Sequence, residues 1–348
     1  NDAGTDLVKR PTINDVAREC GVSLSTVSLV LNNNPRISEA TRARVLEVME
    51  RMGYLPNVQA RALASRSSRT LSVVVPHLNH VFADIYFGEI VSGIYDRCLE
   101  HGYRMMLDIA NQRFVKQREY VNIMRSRRAD CMLFIASSVE DEYLREFEDS
   151  PFPFLLVNHY FPNMNLNHIM VDYRQSARLA AEHLVGLGHR KIGIIAGTNT
   201  YTGRDYRDTF IAACCVRGCR WEDLPWVDGG REWSQEGGFR AARMLLDEYP
   251  DMTAIMAGND RLAVGAMRYL HEKGLRVPQD VSVMGVDDIP QAAYTTPALT
   301  TIRHPLYELG QRAAEKAILL FREEIRSCNE VLPVELVVRE STGPAPSR

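Results

Sequence analysis

Seven continuous apolar runs alternate with amphipathic helical patterns between residues 71 and 286, and this alternation restricts the fold more than any other feature. The runs are LSVVVP from residue 71, RMMLDIA from 104, DCMLFIA from 130, FPFLLVN from 152, KIGIIAG from 191, TAIMAG from 253 and VSVMGV from 281. Strands that are apolar along their whole length are typical of a parallel sheet that helices cover on both faces. The sequence therefore predicts an open α/β body, and so many strands divide best into two doubly wound lobes.

Polar side chains follow three of these runs. Asn158, Asn259 and Asp287 stand where the fourth, sixth and seventh runs end. Ligands of open α/β sheets bind beyond the carboxyl ends of the strands. We therefore expect these three residues to be functional.

A different pattern occupies residues 12–53, where three short helices are predicted in succession. Thr12, Ser23 and Ser38 are placed to cap the helices, and two glycines, at positions 21 and 53, are placed to end the first and the third. The third helix is expected over residues 39–52, with Val45, Leu46 and Met49 facing inward. A small helical unit therefore precedes the α/β body.

The second of these helices has an unusual outer face. Val27, Val30 and Leu31 repeat at helical spacing and predict the buried side. The remaining face carries Leu24, Ser25, Ser28 and Leu29. Short polar side chains are a poor choice for a core, so this face is expected to contact something else.

Charge is distributed unevenly along the chain. Residues 1–69 hold ten Lys and Arg against seven Asp and Glu, a net charge of +3, whereas the remainder holds 31 against 37, a net charge of −6. A positive excess at one end is a modest sign of a polyanionic partner. Residues 55–69, LPNVQARALASRSSR, allow only a short helix capped by Asn57, so we expect a linker that orders on contact.

The composition excludes some classes of protein. Hydrophobic residues make up 45% and charged residues 24%, which are ordinary globular values. No apolar run approaches the roughly 20 residues that cross a bilayer, and the opening NDAGTDLVKRP lacks the apolar stretch of a secretory signal. Seven cysteines form no regular, even framework. We therefore expect a reducing, cytoplasmic location.

The stretch TINDVARECGVSLSTVSLVLN at residues 12–32 resembles the DNA-binding domain of the lac repressor (LacI/GalR) family. The body resembles the same family in YFGEIVSGI, HLVGLGHRKIGIIAG, AGNDRLAVGAM, GLRVPQDVSVMGVDD and TTPALTTIRHP, so the resemblance extends from about residue 11 to residue 342. It implies a cytoplasmic, homodimeric or tetrameric transcription regulator with a hinge helix. It also implies a core shaped like the periplasmic sugar-binding proteins.

The resemblance also implies domain boundaries. It places a helix-turn-helix domain at residues 1–54, a hinge helix and linker at 55–69, an effector-binding and dimerisation core at 70–342, and a tail at 343–348. Within the core it places lobe one at about 70–172 and 305–328, and lobe two at about 173–304 and 329–342.

In a helix-turn-helix the second helix lies in the major groove, so its outward side chains must be short or polar enough to approach base edges. By position within the family motif, Leu24, Ser25 and Leu29 are expected to read bases. The other DNA contacts implied by the resemblance are Thr12, Ser23, Thr26, Ser28 and Asn32, followed by Asn57, Ala60 and Leu63 in the hinge. A small helical docking module is the alternative use of this unit.

Two leucines carry more specific expectations. Leu29 stands where relatives often have Arg or His, and a leucine meets a thymine methyl group rather than guanine, so an A·T pair is predicted there. Leu63 matches the family's hinge leucine, which enters the minor groove as an apolar wedge. The alternative is that Leu63 packs against its own domain.

The family's effector cavity lies between the lobes and implies a sugar-like ligand. The residues expected to bind it are Tyr86, Phe87, Asn158, Arg204, Arg207, Trp233, Asn259 and Asp287. An aromatic plate suits the flat face of a pyranose, and amide or carboxylate groups pair with hydroxyls. Trp233 could instead be a plain core residue. Asp287 beside Asp288 could suggest a metal, although a hydrogen-bonding role is expected.

This sequence departs from the family pattern at two cavity positions. Asn158 stands where relatives commonly have Asp, and Tyr206 stands where they have Arg. Arg204 and Arg207 flank Tyr206, and either could turn inward to bind an acidic sugar or remain solvated. The effector is therefore expected to be a sugar or a sugar acid.

Motifs for catalysis, cofactors or metals are missing from the sequence. It has no G-x-S-x-G, H-E-x-x-H, G-K-[ST] or C-x-x-C, and Cys214, Cys215 and Cys219 lack the spacing of a zinc site. We expect no enzyme activity, no cofactor and no metal. The function predicted is a repressor that binds a pseudo-palindromic operator as a homodimer under the control of a small effector. The alternative is a periplasmic-type sugar-binding protein without a gene-regulatory role.

Overall fold

The computed structural model describes residues 11–31, 34–54, 67–148 and 150–347. Contacts within the chain divide it into two units, residues 1–68 and residues 69–348. We call the first the head and the second the body. Within the described residues, no helix combines the length and the apolar character needed to cross a bilayer.

The head contains three described helices: α1 (Ile13–Cys20), α2 (Leu24–Leu31) and α3 (Glu39–Met52). They enclose a small core formed by Val16, Ala17, Cys20, Val27, Val30, Val45, Val48 and Met49. The expectation that Leu46 faces inward is wrong, because its side chain is 49% exposed. Val45, Val48 and Met49 follow the three- and four-residue spacing of one helix face, and Leu46 lies about a quarter turn away from it.

Local capping explains where the helices of the head begin and end, as the sequence predicts. The Thr12 side chain accepts a hydrogen bond from the amide of Asp15, and the Asp15 carboxylate accepts one from the amide of Thr12 at 2.9 Å. Ser38 caps α3 by accepting from the amide of Thr41 at 3.3 Å. Gly21 ends α1 with a φ of +64°, a left-handed conformation that costs glycine little.

The body alternates strands and helices along most of its length. Its first half contains β1 (Thr70–Pro76), α4 (Ile85–Glu100), β2 (Arg104–Ala110), α5 (Gln112–Lys116), α6 (Glu119–Arg125), β3 (Cys131–Ile135), β4 (Phe154–Val157), β5 (His168–Val171) and α7 (Tyr173–Gly186). Its second half contains β6 (Ile192–Ala196), α8 (Tyr201–Val216), β7 (Trp226–Asp228), α9 (Gln235–Glu248), β8 (Ala254–Ala257), α10 (Asp260–Glu272), β9 (Ser282–Asp287), β10 (Thr300–Arg303), α11 (Leu306–Phe321), β11 (Asn329–Leu332) and β12 (Glu335–Val337).

These strands form two sheets, which confirms the two-lobed, doubly wound α/β body. Lobe one holds a parallel sheet in the order β11-β5-β4-β3-β1-β2. Lobe two holds the order β12-β10-β9-β8-β6-β7, in which β12 alone among these strands runs antiparallel to its neighbour. The seven predicted apolar runs supply β1, β2, β3, β4, β6, β8 and β9, and most of these strands are buried along their whole length.

The chain passes between the lobes three times, between β5 and α7, between β10 and α11, and between β11 and β12. The third passage corrects the expected lobe boundary at residues 328 and 329. Asn329–Leu332 pairs with His168–Val171 in the sheet of lobe one, so the passage lies at residues 333–334. The expected boundary lies too early in the chain because the strand NEVL is short, has two polar residues and carries no continuous apolar signal.

Candidate nucleic-acid interface and ligand cavity

Helix α2 of the head has two different faces. Val27 and Val30 are buried in the core, at 0% and 2% exposure. On the opposite face, Leu24 and Leu29 are 47% and 37% exposed, and Ser25 is exposed between them. The side chains expected to read bases therefore form one accessible surface that is held on a packed core.

Hydroxyl groups cluster at the start of α2. Ser23 Oγ accepts a hydrogen bond from the amide of Thr26 at 3.1 Å, so Ser23 caps the helix as predicted. Its hydroxyl also lies 2.7 Å from that of Ser25 and 2.8 Å from that of Thr26. A helix N-terminus that carries hydroxyl groups is suited to contact a phosphate.

Two of the other expected DNA contacts in the head are less open. Ser28 is half-buried, and the hydroxyl of Thr12 already lies 2.7 Å from the Asp15 carboxylate. Four expected DNA-contacting residues, Asn32, Asn57, Ala60 and Leu63, lie outside the described residues.

A cavity of about 950 Å³, counting the part that opens to solvent, lies between the two lobes of the body. Its lining includes six of the eight residues expected there: Tyr86, Phe87, Asn158, Trp233, Asn259 and Asp287. The carboxyl ends of strands from both sheets border it, as expected for an open α/β fold.

Trp233 forms one wall of the cavity and is only partly buried, so it is not a plain core residue. Its ring lies against Gly197, where a Cβ atom would stand 2.2 Å from two ring carbons. The indole Nε1 donates a hydrogen bond to Asn199 Oδ1 at 2.9 Å. The glycine therefore makes room for an aromatic plate, and the asparagine fixes its orientation.

Asn158 and Asn259 both support neighbouring parts of the structure. Asn158 accepts from the amide of Val171 at 3.1 Å and donates to the Tyr86 hydroxyl at 2.7 Å. Asn259 caps α10 and donates from Nδ2 to the backbone oxygen of Trp233 at 3.1 Å. Each amide thus has internal partners and positions an aromatic residue of the cavity.

Asp287 brings a buried carboxyl to the cavity. It is 8% exposed, and its Oδ1 lies 3.1 Å from His304 Nδ1 without the alignment of a hydrogen bond. Burial, together with the negative charge of Asp84, raises the pKa of Asp287 well above its usual range. Burial also lowers the pKa of His304 to about 3. The carboxyl is therefore placed to accept or donate a hydrogen bond to a ligand.

The expectation that Arg204 or Arg207 faces the cavity is wrong, because neither side chain lines it. Arg204 donates from Nε to the backbone oxygen of Thr198 at 2.7 Å. The guanidinium of Arg207 lies 4.3 Å from the centre of the Trp226 ring and pairs with Asp208. Helix α8 turns Tyr206 toward the cavity. Arg204 and Arg207 lie roughly 200° and 100° away from Tyr206 around the helix axis, so they point elsewhere.

The sequence analysis missed a second set of lining residues, which includes His159, Tyr173, Asn199 and Thr202. Tyr206, which it placed at a cavity position without expecting it to bind the ligand, also lines the cavity. His159 is fully buried, and within the described part of the chain neither ring nitrogen has a hydrogen-bond partner. The hydroxyl of Tyr206 is likewise buried without a partner. The position of His159, directly after Asn158 at the end of β4, was the signal that could have identified it.

Contacts across the cavity mouth hold the lobes close together. Arg261 pairs with Asp84, and Arg231 lies 3.7 Å from Glu140. The amide of Val139 donates to the backbone oxygen of Asn199 at 2.9 Å. Each contact joins one lobe to the other, so in the described conformation the lobes touch at the cavity mouth.

Metal ligation finds no support in the described residues, where no group of three or more His, Cys, Asp or Glu side chains is placed to hold an ion. Asp288 pairs instead with Arg303 at 2.8 Å and with Arg339 at 2.6 Å. The two adjacent carboxylates therefore have separate partners.

We expect His159→Phe to make the body less sensitive to acid. Burial and the nearby His168 lower the pKa of His159 to about 3, whereas an unfolded histidine titrates near 6.5. Above pH 6.5 the residue is neutral in both the folded and the unfolded protein. As the pH falls from 6.5 toward 3, the histidine binds a proton only in the unfolded protein, so the free energy of unfolding decreases. At pH 5 the parent should lose about 2 kcal/mol of unfolding free energy that the variant retains.

Urea denaturation of parent and variant at pH 7.5 and at pH 5 measures this difference directly. The comparison within each pH removes contributions from other titrating groups, because both proteins share them. Parallel loss of stability in the two proteins would show that His159 is not buried in neutral form.

Comparisons with known proteins agree with both halves of this arrangement. The family described as bacterial regulatory proteins, lacI family, matches residues 12–57. The family described as periplasmic binding protein-like domain matches residues 181–342. The matches fall on the helical head and on the body.

Whole-chain relatives extend the comparison. The HTH-type transcriptional regulator DegA of Bacillus subtilis (strain 168) is 33% identical over 341 residues, which cover 96% of this chain and 99% of DegA. The structure of the lac repressor dimer bound to operator and the anti-inducer ONPF matches with a TM-score of 0.85 and 28% identity, over 96% of this chain and 100% of that one. The transcriptional regulator CelR in complex with cellobiose matches with a TM-score of 0.72 and 27% identity, over 95% and 100%.

Proposed function

Because this chain belongs to the LacI family of bacterial regulatory proteins, we propose that it is a repressor whose operator affinity is set by a sugar-like effector in the interlobe cavity. It is a DNA-binding transcription regulator, as its relatives are. The observation that carries the proposal is the accessible face of α2, with Leu24, Ser25 and Leu29 held on a packed core.

This face suits the major groove for a physical reason. A recognition helix must bring its backbone within reach of base edges, and short side chains such as Ser25 allow that approach. The hydroxyls of Ser23 and Thr26 stand at the N-terminus of the same helix, where they and the free backbone amides suit a phosphate. Leu29 offers only apolar contact, so we propose that it meets a thymine methyl group.

The linker at residues 55–69 lies mostly outside the described residues, and its role stays a prediction. We propose that Leu63 enters the minor groove as an apolar wedge and that Asn57 and Ala60 contact DNA beside it.

The body supplies an effector site rather than a catalytic one. Trp233 offers a flat apolar face, and polar groups such as Asp287 border the same cavity, which is the combination that sugar recognition uses. The structure of CelR was solved with cellobiose. The proposal includes no enzymatic step.

Control of DNA binding follows from linkage between the two sites. An effector that prefers one arrangement of the lobes biases contacts across the mouth, such as Arg261 with Asp84, and thereby changes the population competent to bind DNA. We propose that the chain acts as a homodimer on a pseudo-palindromic operator, since two linked heads gain from high effective concentration. The lac repressor was solved as a dimer on operator. A cytoplasmic location is part of the proposal.

A periplasmic-type binding protein without a regulatory role is not favoured. That alternative accounts for the two-lobed body but gives no use to the head, which matches the lacI family over residues 12–57. The whole-chain relative DegA is itself a transcriptional regulator.

Gel-shift titration of genomic fragments over a salt series tests the proposed function. We expect a discrete complex on a fragment that contains a pseudo-palindrome, with an affinity that falls steeply as salt rises because phosphate contacts release counterions. An excess of unrelated DNA should not remove the complex. Equal binding to all fragments, or none to any, would contradict a sequence-specific regulator.

A further inference from the structure

Carboxyl-bearing side chains outnumber cationic ones in the lining of the cavity. Asp84, Glu232 and Asp287 line it, whereas Arg231 is the one arginine among the lining residues. The side chain of Arg231 is 60% exposed and lies 3.7 Å from Glu140, so it stands at the mouth. Apart from Arg231 at the mouth, the lining therefore holds no arginine or lysine that could pair with an anionic ligand.

The cationic side chains that an acidic ligand would need have other partners. Arg261 pairs with Asp84 across the mouth and does not line the cavity. Arg204 and Arg207 also lie outside the lining, where each has its own partner. His159 lines the cavity, but burial keeps its imidazole neutral by lowering its pKa to about 3.

Two buried polar groups of the lining are unsatisfied in the described structure. Both ring nitrogens of His159 and the hydroxyl of Tyr206 lack a hydrogen-bond partner there. Both side chains are at least 97% buried. Burial raises the pKa of Tyr206, and the nearby Ser176 hydroxyl opposes this rise. That hydroxyl already has a hydrogen-bond partner in His304 Nε2, at 3.2 Å. An unsatisfied buried polar group costs free energy, so it marks a place where a partner is expected.

Aromatic surface surrounds these groups. Tyr86, Tyr173, Tyr206 and Trp233 all line the cavity. Their flat faces suit the C–H faces of a pyranose, and they offer no charge to a carboxylate or phosphate. The polar groups that remain are of the type that pair with hydroxyls.

We infer that the effector is a polyhydroxylated ligand without an acidic group and that His159 and Tyr206 select it by hydrogen-bonding its hydroxyl groups. This inference rests on the proposed function and narrows its ligand class, because sugar acids and sugar phosphates are excluded. A neutral imidazole both donates and accepts, and a phenol does the same, so both side chains match hydroxyls without requiring charge.

Thermal-shift measurements on the full chain with matched sets of sugars test the charge preference. The probes are glucose with glucuronate, then galactose with galacturonate, then cellobiose, and finally ribose with ribose 5-phosphate. We expect uncharged members to raise the melting midpoint and their charged counterparts to leave it unchanged at equal concentration. A larger shift with a sugar acid or a sugar phosphate, or no shift with any uncharged sugar, overturns the inference.

The variants Tyr206→Phe and His159→Phe test the two selecting residues. Each removes polar atoms that lack a partner but keeps a ring, so the ligand-free melting midpoint should stay the same or rise. The dissociation constant of the stabilising sugar should increase about 3- to 10-fold for each variant. The control is Tyr269→Phe, a buried tyrosine of lobe two that lies outside the cavity lining, which should leave this constant unchanged.

Lower ligand-free midpoints with unchanged sugar affinity would assign these residues a structural role and overturn the inference. Gel shifts on the same samples separate this failure from failure of the proposed function. If a charged sugar changes the DNA affinity and uncharged sugars do not, the regulator remains and the ligand class is wrong. If no discrete DNA complex forms, the proposed function itself fails.

Discussion

Val27→Asp is expected to abolish operator binding while leaving the body folded. Val27 is fully buried in the small core that joins α2 to α1 and α3. An unpaired carboxylate there costs several kcal/mol, which is comparable to the whole stability of so small a unit. Unfolding of the head destroys the recognition surface. Operator affinity should therefore fall at least 1,000-fold, which is about the ratio of specific to non-specific affinity.

Fluorescence anisotropy with labelled operator measures the loss. The matched control is Leu46→Asp, which places the same charge on a 49% exposed position of α3 and should lower affinity only a few-fold. Thermal shifts with the effector should be unchanged in both variants, because the ligand cavity lies in the body. Wild-type operator affinity in Val27→Asp would mean that the head does not carry recognition.

Gly93→Ala is expected to lower the free energy of unfolding of the body by about 3 kcal/mol or more. Helices α4 and α11 pack so closely here that a Cβ atom at Gly93 would lie 2.0 Å from the backbone oxygen of Tyr307. The partner position is equally tight, since a Cβ at Gly310 would lie 2.1 Å from the backbone oxygen of Ile90. Backbone atoms cannot turn aside as a flexible side chain can, so the helices must separate.

Gly88→Ala in the same helix provides the control. No atom lies within 4 Å of a Cβ at this position, and alanine is the better helix former by about 1 kcal/mol. Chemical denaturation should therefore show a loss for Gly93→Ala and no loss, or a gain, for Gly88→Ala. Equal stability of the two variants would show that the crossing is looser than described.

Features set by local chemistry were predictable from the sequence. The capping box of Thr12 with Asp15 and the left-handed turn at Gly21 depend on a few adjacent residues. The central strands were predictable because a buried parallel strand must be apolar throughout, as Cys131–Ile135 is. The strands β5, β7, β10, β11 and β12 were missed, because they are three or four residues long and mostly alternate or expose polar groups.

The cavity was predictable only in part. Residues at strand ends, such as Asn158 and Asp287, were found because topology alone brings those ends together. The orientation of α8 could not be predicted. The positions of Arg204, Tyr206 and Arg207 around the helix axis differ by fractions of a turn, and only tertiary packing decides which of them faces inward. The position of His159 directly after Asn158 was its one sequence signal, but the sequence could not show that its buried ring nitrogens lack hydrogen-bond partners.

The most direct test of the account is a reciprocal titration of one protein with operator and effector. The operator dissociation constant is measured with and without saturating sugar, and the sugar dissociation constant is measured with and without saturating operator. Linkage requires both constants to change by the same factor, and we expect about 5- to 150-fold. An operator affinity that is indifferent to a saturating ligand would contradict the claim that the cavity controls the head.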